Sequence, residues 1–246
     1  MPKQPPRSAA EFIPDRPTLA KAREAAKDCR GCHLWKIGTQ TVFGEGARRA
    51  ELMLVGEQPG NEEDLAGHPF VGPAGKLLDR ALADAGIDRS LVYVTNVVKH
   101  FKWEPRGKRR IHAKPNPNEV RACAPWLDAE IDAIEPEVVV ALGVTAARAV
   151  FGRSLTITAS RGRALETRWQ TTGLVTIHPS AVLRAPDPEA RERTYADLVS
   201  DLRVASRLLR EATPRDAAST AAGPHVPTAA TRRSGRRSPQ GRRPAA

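Results

Sequence analysis

Four short runs of apolar residues punctuate the chain: Glu51–Gly56, Leu91–Thr95, Glu137–Gly143 and Leu174–Ile177. Each is nearly continuous and rich in Val, Leu or Ile. That pattern predicts strands buried on both faces rather than strands with one wet face. Between them apolar positions recur at three and four residues, predicting helices over Gly75–Ala85, Asn118–Ile134, Thr145–Phe151 and Pro188–Leu209. An earlier helix is expected from Thr18 to Lys27, with Thr18 as its cap and Leu19, Ala22 and Ala25–Ala26 at helical spacing. Strands alternating with helices predict an α/β fold, a three-layer α/β/α sandwich around a central, mostly parallel four-stranded sheet. Ligands of such sheets bind beyond the carboxyl ends of the strands. Glu57–Gly60, Asn96–His100, Gly143–Thr145 and His178–Ser180 lie there. Residues 1–16, Pro-rich and polar, read as a flexible leader. Residues 17–212 read as one domain, and 213–246, rich in Ala, Pro, Ser and Arg, as a disordered basic tail.

Charge sharpens this picture. The formal net charge is +11, and it is unevenly placed. Residues 213–246 hold seven Arg against one Asp, and Lys99–Lys114 holds seven cations against one Glu, so each stretch carries +6 and the remainder is near neutral. Such clustering favours a polyanion partner, nucleic acid before an anionic membrane, because the internal stretch has few large apolar side chains. No apolar run approaches the ~20 residues of a membrane span, and the N-terminus lacks the apolar stretch of a secretory signal. Three cysteines, an odd number, argue against a disulfide framework and for a reducing, cytoplasmic setting. Nothing demands more than a monomer.

Five segments carry candidate chemistry. Cys29-x-x-Cys32 offers two thiolates suited to zinc or iron–sulfur, or two buried thiols. Cys123 adds a third donor. His100 is the best fourth, although a loop position or a phosphate contact explains it equally well. Gly56-Glu57-Gln58-Pro59-Gly60 follows the first strand, and its glycines let backbone approach a ligand. Glu57 there can act as a base, orient a histidine or stabilise positive charge. Phe70, in the Gly/Pro loop before Gly75, either stacks on an unstacked base or packs in the core. The N–H groups at that helix start suit an anion. Lys108-Arg109-Arg110, which leads to His112, reads either as a solvated face or as a phosphate-binding run that positions DNA without reading its sequence. Finally, His178 of His178-Pro179-Ser180 can donate to a developing anion, and Ser180 can bind phosphate.

Together these residues resemble the uracil-DNA glycosylase superfamily, in its iron–sulfur branch and closest to the UdgX type, from about Cys29 to Arg207. The most specific signals are Gly56–Gly60 and the insert Lys108–His112. Ordinary iron–sulfur members resemble Gly-Glu-Ala-Pro-Gly at the first and lack the second. The order Cys-x-x-Cys, His, Cys also resembles the UdgX type. The resemblance implies a [4Fe–4S] cluster on Cys29, Cys32, His100 and Cys123, where spacing alone leaves zinc open. Asn61 departs from the pattern, since an acid is expected there.

The resemblance further implies excision of uracil from DNA, single strands included. Phe70, Asn96 and Gly56 would line the uracil pocket. His178, helped by backbone N–H groups near Gln58, would stabilise the departing uracil anion. His112, oriented by Glu57, would attack the sugar and stay bound to it, so each molecule reacts once. Two other expectations stand beside this one: a turnover glycosylase in which His112 only contacts DNA, and a non-catalytic DNA binder. A zinc-stabilised module with a basic tail is a third.

Overall fold

The computed structural model describes residues 8–212. Its elements in chain order are α1 (Leu19–Ala26), β1 (Glu45–Gly46), β2 (Leu52–Gly56), α2 (Asn61–Ala66), α3 (Pro73–Asp84), β3 (Val92–Asn96), β4 (Trp103–Arg106) and β5 (Arg109–His112). There follow α4 (Pro117–Ile134), β6 (Val138–Leu142), α5 (Val144–Phe151), α6 (Ile157–Ser160), β7 (Leu165–Glu166), β8 (Thr172–Thr176), α7 (Pro179–Leu183) and α8 (Pro188–Ala212).

The main sheet has the order β1-β3-β2-β6-β8-β7. Its four inner strands, β3, β2, β6 and β8, are mutually parallel and coincide with the four apolar runs. The expected four-stranded sheet is therefore extended to six. The added edges β1 and β7 are antiparallel and only two residues long, too short for any apolar period to announce them. Side chains alternate across the inner strands. Met53 and Val55 join Val139, Ala141, Val175 and residues of α1, α4 and α5 on one face. Leu52 and Leu54 join Val138, Val140, Leu174 and residues of α3, α7 and α8 on the other. Two apolar layers flank the sheet, and removing them from water is the main force holding the sandwich.

The structure corrects two further expectations. The basic stretch is not an open loop: β4 and β5 form a separate antiparallel hairpin in which Trp103 faces His112 and Arg106 faces Arg109. Its two-residue turn puts Gly107 first at φ 59°, a left-handed backbone that glycine adopts without strain. The leader is not wholly flexible either. Ser8 caps a short 3-10 helix over Ala9–Phe12, Ala9 is buried, and Phe12 and Ile13 pack on the core. A methyl group on Gly31 would come within 2.6 Å of the Ala9 amide nitrogen, so this segment lies directly on the Cys29–Cys32 turn. The prolines of the leader obscured its two apolar anchors. The expectations for residues 1–7 and for the tail 213–246 lie outside the described residues. Among the described residues no helix is long and apolar enough to cross a membrane.

Candidate active site

A cavity of about 780 Å³ opens at the carboxyl ends of β2, β3, β6 and β8, and all four strand-end segments contribute to it. Asn96 lines it, beside Gly56 in the parallel ladder. A methyl group on Gly56 would fall 2.3 Å from Asn96 Oδ1 and 2.8 Å from the Phe70 ring, so only glycine fits. Asn96 is 3% exposed. Its carbonyl accepts from Lys99 Nζ at 2.7 Å, but among the described residues no group hydrogen-bonds its side-chain amide. The amide therefore turns a free donor and a free acceptor to the cavity, where a ligand can pair with both.

Phe70 forms one wall. Its φ of 58° is uncommon for an aromatic residue, and its ring stacks on His178 with centroids 6.4 Å apart and planes at 27°. Glu63 fixes the loop: its carboxylate accepts from Gly72 N at 2.9 Å and from Gly60 N at 3.0 Å, joining the Phe70 loop to the turn after β2. His178 caps α7. Its Nδ1 accepts the Ser180 amide at 3.1 Å, and the Ser180 hydroxyl lies 2.7 Å from the same nitrogen. With Nδ1 accepting, the ring proton sits on Nε2. Burial, and then the nearby Arg184, hold the His178 pKa down to about 4, so the ring is neutral and its Nε2–H is a donor. Ser180, expected at a phosphate, instead directs its hydroxyl to this ring.

His112 ends β5, and the hairpin carries it to the cavity mouth. Its Nε2 lies 3.6 Å from Glu57 Oε1, a charge contact longer than a hydrogen bond. Burial lowers the His112 pKa against the opposing pull of Glu57, with Arg184 lowering it further. The other Glu57 oxygen, Oε2, accepts the hydroxyl proton of Thr145 from the first turn of α5.

Two residues take parts other than those expected. Gln58, expected among the catalytic groups, clamps the hairpin stem. Its Oε1 accepts from Lys102 N at 3.1 Å, and its Nε2 donates to the carbonyls of Lys102 at 3.2 Å and Ala113 at 3.1 Å. Arg110, expected on phosphate, is pinned beneath the hairpin. It meets Asp64 Oδ2 at 2.6 Å, Asn61 Oδ1 at 2.8 Å and Thr39 Oγ1 at 3.1 Å, and lies over the rings of Phe101 and Trp103. A guanidinium with this many partners is an anchor. Asn61, the departure from pattern, is one of its acceptors. Lys108 and Arg109 are exposed at the hairpin end, as a phosphate contact requires. Lys114 and Thr145, from the basic stretch and the third strand-end segment, also line the cavity, as does Arg184, which was missed because an isolated cation carries no periodic signal.

Cys29, Cys32 and Cys123 all pack on the α1/α4 face of the sheet. Burial raises the Cys32 thiol and pushes the Cys123 thiol up to about 12, with the other thiols adding to both shifts. Trp126 Nε1 donates to Cys29 Sγ at 3.2 Å, and Lys99 N donates to Cys123 Sγ at 3.3 Å. His100 follows Lys99 in sequence and is buried, and burial lowers its pKa to about 4. Thr41 settles its tautomer. The threonine hydroxyl gives its one proton to the Ala26 carbonyl at 2.8 Å, so at 3.0 Å it accepts from His100 Nε2–H and leaves Nδ1 with a lone pair. Three thiols, two of which receive N–H donors, and a neutral imidazole suit an iron–sulfur ligand set. Among the described residues, however, no three His, Cys, Asp or Glu side chains converge on a point where one metal ion would sit.

Comparison with known proteins agrees with this geometry. The family model described as uracil DNA glycosylase superfamily matches residues 43–203. The chain is 41% identical over 176 residues to a type-4 uracil-DNA glycosylase of Archaeoglobus fulgidus, covering 69% of this chain and 84% of that one. It is 40% identical over 176 residues to that of Thermotoga maritima (71% and 88%) and 38% identical over 178 residues to that of Sulfurisphaera tokodaii (69% and 78%). The match takes in every strand of the main sheet and all four strand-end segments of the cavity, and on both grounds the chain belongs to the uracil-DNA glycosylase superfamily.

Proposed function

We propose that the protein removes uracil from DNA and captures the exposed deoxyribose C1′ on His112, as the UdgX type does. The observation that carries this reading is the meeting of His112 and Glu57 over a cavity lined by an unpartnered amide. An amide donates and accepts at once, so Asn96 matches O4 and N3–H of uracil, whereas cytosine presents the reverse pattern. The target base must leave the stack to reach it, and Phe70 offers a ring face to receive it. Lys108, Arg109, Lys114 and Arg184 supply positive charge for the phosphates around the mouth.

The bond between C1′ and uracil N1 breaks with its electron pair leaving on uracil. The His178 Nε2–H donates to uracil O2 and stabilises the anion. The sugar is left electron-poor at C1′, next to the Glu57 carboxylate. A lone pair of the neutral His112 ring then bonds to C1′, while Glu57 takes the proton of the nitrogen turned to it. No electron transfer is required at any step.

A [4Fe–4S] cluster on Cys29, Cys32, His100 and Cys123 is part of the same proposal. When bound it cross-links the end of α1, the start of the hairpin segment and α4. Each iron of such a cluster takes one protein ligand, which suits donors that do not share a single centre. His100 would serve through Nδ1, the nitrogen Thr41 leaves free.

A turnover enzyme that releases an abasic site is the second reading. It is favoured by the type-4 relatives. A denaturing gel separates the two. Wild type and His112→Ala are mixed with a labelled uracil-containing single strand, beside a thymine control. A shifted band that survives heat and detergent, requires uracil and is lost in the variant is expected. Alkali-labile breakage with no shifted band would establish turnover instead.

A further inference from the structure

Glu57 has two oxygens, and the structure gives them different surroundings. Oε1 faces His112 Nε2 at 3.6 Å, whereas Oε2 receives the Thr145 hydroxyl proton. Thr145 lies in the first turn of α5, an end of the helix whose free N–H groups favour a neighbouring anion. Among the described residues the Glu57 carboxylate has no other hydrogen bond, so this one tether decides which oxygen looks into the cavity. The same turn also reaches His178. Gly143, which precedes α5 at φ 88°, would bring a methyl group within 3.2 Å of His178 Cβ. The junction of β6 and α5 thus touches the groups on both sides of the bond to be broken.

We propose that Thr145 is a positioning residue for the Glu57 carboxylate, which makes the β6–α5 turn part of the catalytic apparatus. The assignment rests on the glycosylase reading above. A valine at 145 keeps the shape and loses the hydroxyl. Glu57 is then free to swing towards solvent, and both the electron-poor sugar and the His112 ring lose a fixed carboxylate.

The test compares wild type, Thr145→Val and Thr145→Ser on a labelled uracil-containing single strand in single-turnover reactions. It reads uracil release at saturating protein, adduct formed per uracil released, DNA affinity and melting temperature. In Thr145→Val, release at saturation is expected to fall about tenfold, the scale of one hydrogen bond to a carboxylate. Adduct per uracil falls with it, DNA affinity and melting temperature hold, and Thr145→Ser restores both rates. A Thr145→Val protein as fast as wild type overturns the proposal. So does a Thr145→Ser protein as slow as the valine variant, or a loss confined to DNA affinity or melting temperature. If wild type releases uracil without an adduct, covalent capture fails and the release rate alone judges Thr145. If wild type releases no uracil, the glycosylase reading fails and this assignment with it.

Discussion

His178 is built to be used as a neutral ring, because the Ser180 amide points its proton at Nδ1 and leaves no room for another. Its pKa of about 4 therefore has a cost at low pH. The unfolded chain takes up a proton near pH 6.5, roughly the ordinary histidine value, while the folded chain resists until about 4. This group's contribution to stability is complete above the unfolded value and is lost as pH falls through that window. The melting-temperature advantage of wild type over His178→Asn should accordingly narrow between about pH 7 and pH 4. An advantage that stays constant would show that the ring is not held neutral. At this scale the chain was readable where position alone implied chemistry. Glu57, Asn96 and His178 stand at strand ends, and the structure brings them to one cavity. Thr145 was unreadable, since a threonine hydroxyl looks alike in sequence whether it holds a carboxylate or faces water. Arg110 was misread for a related reason: charge is visible in sequence, but the Asp64 that neutralises it is 46 residues away.

Among the elements the β4–β5 hairpin is distinctive, for its hydrogen-bonded ladder is separate from that of the main sheet. Two devices fasten it. Gln58 grips both sides of its stem, and Arg110 reaches down to α2 and the segment before it. The two most specific sequence signals, the Gly56–Gly60 turn and the insert ending at His112, are thus parts of one contact. An alanine at 58 has no group to make it. Gln58→Ala should lower adduct formation by about a hundredfold, given three lost hydrogen bonds near 1 kcal/mol each, while uracil release changes much less. Equal losses in both would place Gln58 in bond cleavage itself. The hairpin was unreadable because its four-residue strands have no apolar alternation and its cations look like a solvated loop. The long helices and inner strands were readable because each buries a continuous apolar face, and helix limits moved by only a few residues.

The whole molecule is two apolar layers on one sheet, and that much follows from four apolar runs separated by helical periods. What could not be read was how the N-terminal segment and the cysteines complete it. Ala9, Gly31, Cys29 and Cys123 meet on one face although up to 114 residues separate them. If a cluster binds there, iron-free protein should lack absorption at roughly 400 nm and melt several degrees lower, since metal binding adds directly to folding free energy. A melting temperature that ignores iron would remove the cluster from any structural role. The separateness of the hairpin has a wider meaning. The six strands of the main sheet, four of which end at the cavity, are hydrogen-bonded without it, and it is joined to them chiefly by side chains. The His112 imidazole is therefore an accessory mounted on a chassis already complete. Deleting the hairpin would remove the imidazole and leave every hydrogen bond of the six-stranded ladder in place.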